Sequence, residues 1–255
     1  MRYIITGHKG QIGRELKKLL DNNNSDCILQ VDLKEGNDMT ETFIKANADI
    51  FFHLASFCKI NETVKNPLLS NHDSTSTFKA LEMCRLNKIP RFVYFSSVRT
   101  LSTNKTPYTA AKMYGEELVK AYAECYGLQY LIIRPSAVYG GLDETKRLIN
   151  IWLNNAQSGK DLIIYGDKNK SLNFTHIDDF LEGLISAVQG EWNKEYNISG
   201  KEEKLVKVAK EIIKQTKSKS KIVFQPKEIG QPQSGGLTPT NQKINIEEGI
   251  KRCLI

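Results

Sequence analysis

Tyr108 and Lys112 lie four residues apart in Tyr108-Thr109-Ala110-Ala111-Lys112, a spacing that stacks the two side chains on one face of a helix. A free phenol has a pKa of about 10 and is a poor base at neutral pH. An ammonium group one turn away favours the phenolate, so the pair can take a proton from an alcohol. Ser97 closes a preceding apolar run, Arg91–Ser97, and can hold the alcohol oxygen by a hydrogen bond. Oxidising that carbon also requires a hydride acceptor, which proteins supply as a nicotinamide.

A place for such a cofactor lies at the N-terminus, in Thr6-Gly7-His8-Lys9-Gly10-Gln11-Ile12-Gly13. A strand-like run precedes this segment and a helical pattern follows it. Gly7, Gly10 and Gly13 allow a tight turn, close approach of a pyrophosphate to the backbone around Gln11 and Ile12, and close helix–strand packing, with the diphosphate at the helix N-terminus. Asp32 ends the next strand about twenty residues on, where a carboxylate accepts hydrogen bonds from ribose hydroxyls. It would repel a 2′-phosphate, which favours NAD, although the nearby Lys34 leaves NADP open.

These residues need a scaffold that brings strand ends together. Strand-like runs at Tyr3–Thr6, Cys27–Leu33, Ile50–Leu54, Arg91–Ser97 and Leu128–Arg134 alternate with helical patterns, among them Pro67 to Asn87 and Tyr108 to Tyr126. That alternation predicts an α/β fold, a doubly wound parallel sheet with helices on both faces. Residues 1–135 form the expected dinucleotide-binding domain, completed by about 175–200. Residues 136–174 and 201–255 form a small C-terminal substrate-binding lid.

The 255 residues carry a formal net charge of +7. Much of the excess falls between Lys201 and Lys221, around Leu205, Val206, Val208, Ala209, Ile212 and Ile213, the pattern of an amphipathic helix with a wet lysine face. No aromatic–basic stripe suited to stacking bases accompanies it, so no nucleic-acid partner is expected. The five cysteines include no CxxC pair and the four histidines no HxH or HxxxH pair; neither a disulfide framework nor a metal site is expected. No apolar run approaches the roughly 20 residues needed to cross a bilayer, and the N-terminus lacks a signal-peptide pattern. A cytoplasmic protein without membrane association is the simplest expectation.

Over almost its whole length the chain resembles the extended short-chain dehydrogenase/reductases, the NAD-dependent epimerase/dehydratase family that includes UDP-galactose 4-epimerase. The TGHKGQIG segment resembles its TGxxGxIG turn, and His53-Leu54-Ala55-Ser56 its HLA segment lining the cofactor. Asp38-Met39, following Leu33, sits where its adenine-contacting pair falls, and Asn71 resembles the asparagine on the following helix. Arg134-Pro135-Ser136-Ala137-Val138-Tyr139-Gly140 is similar to RPxNVYG, Asn173-Phe174-Thr175-His176-Ile177-Asp178-Asp179 to DFxHVDD, and Tyr196-Asn197-Ile198-Ser199 to YNxG. The resemblance implies a Rossmann fold and a tightly held NAD contacted by Leu33, Asp38, Met39, Leu54, Ala55, Ser56, Asn71, Pro135, Ser136 and Val138. It also implies a nucleotide-sugar substrate approached by Ser97, Tyr108, Ala137 and Asn173, and a homodimer. Within DFxHVDD, Asp178 reads as a helix cap and His176 as support for its loop.

The chain departs from the pattern at several positions. Val98-Arg99 replaces the Asp-Glu pair with which the family's dehydratases eliminate water, so a 4,6-dehydratase is not expected. Leu172 stands where the epimerases place a diphosphate-binding arginine, Ala137 where they place asparagine, and no arginine adjoins Gly230-Gln231-Pro232; Lys170 or Lys227 could substitute as point charges. The expected activity is proton and hydride transfer at a sugar carbon, C4 in an epimerase. Alternatives are a one-way sugar dehydrogenase or keto-sugar reductase, on a substrate with or without a nucleotide, and a non-catalytic cofactor-sensing or RNA-binding protein.

Overall fold

The computed structural model describes residues 1–32, 46–141, 147–230, 236–240 and 242–254. It divides into two compact units, Met1–Pro135 with Leu184–Asn197, and Ser136–Gly183 with Ile198–Ile255.

The first unit carries a six-stranded sheet formed by β1 (Arg2–Thr6), β2 (Asp26–Val31), β3 (Ile50–His53), β4 (Arg91–Phe95), β5 (Gln129–Pro135) and β9 (Lys194–Ile198). Their spatial order is β2-β1-β3-β4-β5-β9, and the pairs from β2 to β5 are all parallel. Parallel strands buried on both faces read as continuous apolar runs, as β1, β3 and β4 do. On one face Ile4, Phe51, Phe92 and Ile132 pack with Ala80, Leu81 and Cys84 of α3 (Leu68–Asn87) and Val119 and Tyr122 of α4 (Pro107–Tyr126). The alternate residues Tyr3, Ile5, Phe52, Val93 and Leu131 are equally buried and point to the other face. This is the expected Rossmann-type architecture.

Helix α1 (Gln11–Asn22) follows the glycine turn and buries Leu16 and Leu20. The short α2 (Ile60–Lys65), which has no clear apolar period, was not expected from the sequence pattern.

In the second unit β6 (Ala137–Tyr139) pairs in parallel with β8 (Ser171–His176), and β10 (Glu202–Lys204) pairs antiparallel with β8. A separate parallel pair joins β7 (Leu162–Tyr165) and β11 (Ile222–Gln225). Helices α5 (Leu148–Gln157), α7 (Leu205–Gln215) and α8 (Ile246–Arg252) close a core around Trp152, Leu162, Phe174, Val208 and Ile250. Helix α7 buries Leu205, Val208, Ala209 and Ile212, so the lysine-rich segment is the polar side of an amphipathic helix. Helix α6 (Ile177–Gln189) runs from the second unit into the first. Among the described residues no helix is long and apolar enough to cross a membrane.

Candidate active site

Parallel register aligns the carboxyl ends of β1, β2, β3, β4 and β5, where open α/β sheets bind ligands. Thr6 pairs with Val31 on one side and His53 on the other, His53 with Tyr94, and Phe95 with Ile133. The glycine turn, Asp32, Leu54 to Ser56 and Ser97 therefore emerge along the same edge.

The turn is shaped by missing side chains. Gly7 has φ +74°, and a Cβ there would lie 2.7 Å from the Ala55 backbone nitrogen. A Cβ on Gly13 would lie 2.2 Å from the Gly7 carbonyl oxygen. Both positions thus require glycine. Gly10 is the N-cap of α1 and offers no side-chain cap, leaving the positive end of a twelve-residue helix open to an anion from its own cap position. Gln11 and Gly13 are buried and Ile12 half-buried in the first turn. Asp32 is 6% exposed, and its Oδ2 accepts a hydrogen bond from the Lys9 amide at 2.9 Å, which ties the carboxylate to the turn. This cradle fits a dinucleotide. Leu33, Asp38 and Met39 lie outside the described residues.

Ser97 follows β4 and caps the short 3-10 helix Val98–Leu101, its Oγ accepting from the Arg99 amide at 3.3 Å. Helix α4 starts at a capping box in which Thr106 and Thr109 exchange hydrogen bonds, with Pro107 in the first turn. The cap fixes the start of the helix, so Tyr108 sits in its first turn with Lys112 one turn on. Ser97, Tyr108 and Lys112 are 8, 7 and 4% exposed.

Lys112 Nζ donates to the Phe95 carbonyl at 2.8 Å and lies 5.2 Å from the Tyr94 ring centroid. Gly115 admits that ring: a Cβ there would lie 2.1 Å from the Tyr94 hydroxyl. Burial pushes the Lys112 pKa down, opposed by the charges of Asp73, Cys58 and Glu116. Arg99 is also held below its ordinary value by burial, opposed by Tyr108.

A second layer of polar residues, not singled out from sequence, fixes this edge. Glu116 binds Arg134 through contacts of 2.8 and 2.5 Å and accepts hydrogen bonds from the Ser96 and Thr100 hydroxyls. It thereby locks α4 to the backbone on either side of Ser97. His53 Nδ1 meets the Thr6 hydroxyl at 2.8 Å, and its Nε2 meets the Thr77 hydroxyl at 3.2 Å. Desolvation, with a smaller push from Lys112, lowers the His53 pKa to about 3, so the ring is neutral and links β1, β3 and α3.

Asn71 does not join this constellation. The buried stripe of α3 runs through Ser70, Asp73, Thr77, Ala80 and Cys84, while Asn71 is exposed beside Thr75 and Phe78. The helical period of 3.6 residues decides this, and Asp73 is the α3 side chain that meets the segment following β3. Its carboxylate accepts from Ser56 Oγ at 2.7 Å and from the Phe57 amide. A buried polar position one turn before Thr77 was the available signal.

In the second unit, Ser136 shares a hydrogen bond of 2.6 Å with Thr175, and its amide donates to the Ile198 carbonyl. Val138 is buried and Ala137 half-buried on β6. Asn173, expected to touch substrate, instead holds backbone: its Nδ2 donates to the Gly200 and Leu237 carbonyls and its Oδ1 accepts from the Leu237 amide. Lys170 is likewise turned inward, donating to the Tyr165 carbonyl at 2.7 Å, whereas Lys227 is exposed. His176 accepts from the Asp178 amide and packs edge-on against Tyr139, the support role expected of it. Asp178 does not cap α6; it lies in the first turn and pairs with Arg252 at 3.0 Å, while Asp179 receives the amides of Lys243 and Ile244.

The family model for the NAD dependent epimerase/dehydratase family matches residues 3–199. The chain belongs to this family. A relative from Methanocaldococcus jannaschii, provisionally named a UDP-glucose 4-epimerase, is 26% identical over 98% of this chain and 96% of its own. The dTDP-glucose 4,6-dehydratase of Escherichia coli is 25% identical over 80% of this chain and 73% of its own. Among solved structures, the Thermus thermophilus UDP-glucose 4-epimerase in complex with NAD superposes with a TM-score of 0.89 at 18% identity, covering 100% of this chain and 98% of that one. This epimerase/dehydratase family member is thus an enzyme by kinship, and its fold is that of the epimerases.

Proposed function

We propose that the protein is an NAD-dependent nucleotide-sugar 4-epimerase. The carrying observation is that Ser97, Tyr108 and Lys112 are all buried, with Ser97 just past the carboxyl end of β4 and Lys112 bonded to the Phe95 carbonyl at that end, on the sheet edge that bears the glycine turn. The first unit is the dinucleotide-binding part, in which Gly7, Gly10, Gln11, Ile12 and Gly13 cradle the diphosphate and Asp32 the ribose. Pro135 closes β5, and Ser136 and Val138 follow it in the chain as further cofactor-side residues; the second unit is the substrate-binding region.

NAD would accept hydride from C4 of the sugar and return it. Ser97 holds the C4 oxygen in line with Tyr108, the Tyr108 phenolate removes its proton, and the same phenol gives the proton back when the 4-keto sugar is reduced on its other face. Lys112 stabilises the phenolate and is itself oriented by the Phe95 carbonyl. Epimerisation is favoured over 4,6-elimination because the positions after Ser97 hold Val98 and a half-buried Arg99, with no carboxylate there to shuttle the protons of water loss.

A homodimer is part of this reading. Phe78 of α3 and Tyr114 of α4, 44 and 46% exposed, line one shallow groove, and Leu68 and Met113 on the same two helices are 74 and 38% exposed; exposed apolar side chains of this kind mark protein contacts when they form one patch. Analytical ultracentrifugation of the protein and a Phe78→Glu variant checks it, with the variant expected to shift to monomer.

The deciding experiment incubates the NAD-loaded protein with UDP-, dTDP-, GDP- and CDP-hexoses without added reductant, followed by NMR. Interconversion of C4 epimers with no accumulation of NADH is expected. Stoichiometric NADH formation would instead establish the one-way dehydrogenase, and NAD binding without conversion of any sugar would refute catalysis of this class.

A further inference from the structure

Lys112 is a buried amine with no counter-charge against it. Its Nζ donates to the Phe95 carbonyl at 2.8 Å and sits over the Tyr94 ring, 5.2 Å from the centroid. Among the described residues it forms no ion pair. A bare ammonium at that depth is costly, and burial pushes the Lys112 pKa down. The titratable groups around it are His53 on β3, Cys58 beyond β3, Asp73 on α3, Tyr94 on β4, and Tyr108 and Glu116 on its own helix. His53 is neutral, and Glu116 is matched by Arg134. The amine's one hydrogen bond among the described residues goes to the carbonyl, so its close partners are a peptide oxygen and an aromatic face.

The fold holds the Tyr94 ring firmly in that place. It is 1% exposed and stacks with His53, the centroids 6.1 Å apart. Gly115 leaves the space the ring occupies, since a Cβ there would lie 2.4 Å from the Tyr94 Cζ. The hydroxyl donates to the Lys112 carbonyl at 3.4 Å, which ties the ring to the residue whose amine it underlies. Burial pushes the Tyr94 phenol well above its ordinary range. The ring therefore stays neutral and offers the amine its π face.

We propose that Tyr94 is a positioning residue whose ring face holds Lys112 as an ammonium ion by a cation–π contact, in the place a carboxylate would otherwise take. The proposal rests on the roles given to Tyr108 and Lys112 above. The negative face of an aromatic ring attracts a cation, most strongly where water is excluded. A neutral platform also does what a carboxylate could not. A paired anion would cancel much of the Lys112 field at Tyr108, whereas a ring without net charge leaves the positive charge free to favour the phenolate. Weakening the face lets Lys112 lose its proton at lower pH, and the alkaline limb of the turnover profile moves down with it.

The test uses the NAD-loaded protein with ¹³Cε-labelled lysine, titrated by NMR, with the Lys112 signal assigned by its loss in Lys112→Met. Tyr94→Phe keeps the ring and should leave the Lys112 midpoint within about 0.3 pH unit. Mono-, di- and trifluorinated phenylalanine at the same position draw charge from the face at nearly constant shape, and should lower the midpoint step by step. Tyr94→Leu removes the face and is expected to lower it by about one pH unit, a tenfold fall in proton affinity. Phe92→Leu makes the same kind of change two residues earlier on β4, against Phe51 and His53, and should leave the midpoint within about 0.3 unit. A midpoint unchanged across the fluorinated series overturns the proposal. So does a fall in Tyr94→Phe or Phe92→Leu equal to that in Tyr94→Leu. If Tyr94→Leu does not fold, the fluorinated series decides by itself. The titration needs no turnover, so failure to epimerise any sugar would refute the functional reading and leave this result standing on its own.

Discussion

Glu116→Ala strikes the best-paired charge cluster of the first unit. The Glu116 and Arg134 side chains are 7 and 9% exposed and meet through contacts of 2.8 and 2.5 Å. Removing the carboxylate leaves the guanidinium with only Glu195, which is 32% exposed and shared with Lys120. Breaking a buried pair from one side costs about 3–5 kcal/mol, because an uncompensated charge stays behind. In a chain of this size 1 kcal/mol is about 2–4 °C of Tm, so calorimetry should show a fall of roughly 6–20 °C. The hydroxyls of Ser96 and Thr100 also lose their acceptor, which loosens the backbone that presents Ser97. Turnover should therefore fall even at temperatures where the variant is fully folded.

A double variant, Glu116→Leu with Arg134→Met, removes both charges and should cost clearly less than the two single changes added together, by about 1–3 kcal/mol of coupling. The reasoning is refuted if Glu116→Ala melts within about 3 °C of the parent. It is equally refuted if the cycle is additive within about 0.5 kcal/mol.

Three further outcomes are expected. Tyr108→Phe should leave the circular dichroism spectrum and NAD affinity nearly unchanged while lowering turnover by roughly 10²–10⁴-fold, since only the proton-carrying oxygen is lost; activity within a few-fold of the parent would contradict the mechanism. Asp32→Asn should weaken NAD about 10–100-fold in titration calorimetry, the worth of a charge-assisted hydrogen bond, and an unchanged Kd would remove Asp32 from the ribose site. His53 is neutral in the folded protein down to about pH 3, whereas in the unfolded chain it takes up a proton near pH 6.5. Stability from this residue is thus fully present above about pH 6.5 and is lost as pH falls toward 3, at up to ~1.4 kcal/mol per pH unit. Urea unfolding at pH 7 and pH 5 should show that loss, and a His53→Gln variant should show a smaller one.

Much of this was legible along the chain because it depends on local rules. Strict alternation of apolar runs with helical patterns gave the parallel sheet, since strands covered on both faces must be apolar throughout. The glycine turn was legible because only glycine fits φ +74° at position 7 and the close approach at position 13. The Tyr108–Lys112 pair follows from helix geometry alone. The short α2 and the strands β6, β8, β10 and β11 were missed, because three- to six-residue elements carry too little periodicity to separate from loop.

What the chain order could not supply was which polar residues share an interior. Asn71 and Asp73 differ by two positions, and only the packing of α3 on the sheet turned the carboxylate inward and the amide out. Asn173 lies in a motif suggestive of ligand contact, yet its amide is taken by carbonyls 27 and 64 residues away. Glu116 and Arg134 are 18 residues apart, each unremarkable in its own element until α4 lies against β5. Local sequence sets φ, ψ and periodicity through sterics and hydrogen bonds between near neighbours. The match of buried charges is set by long-range packing, because only there does the low dielectric make an unmatched charge costly enough to decide who meets whom.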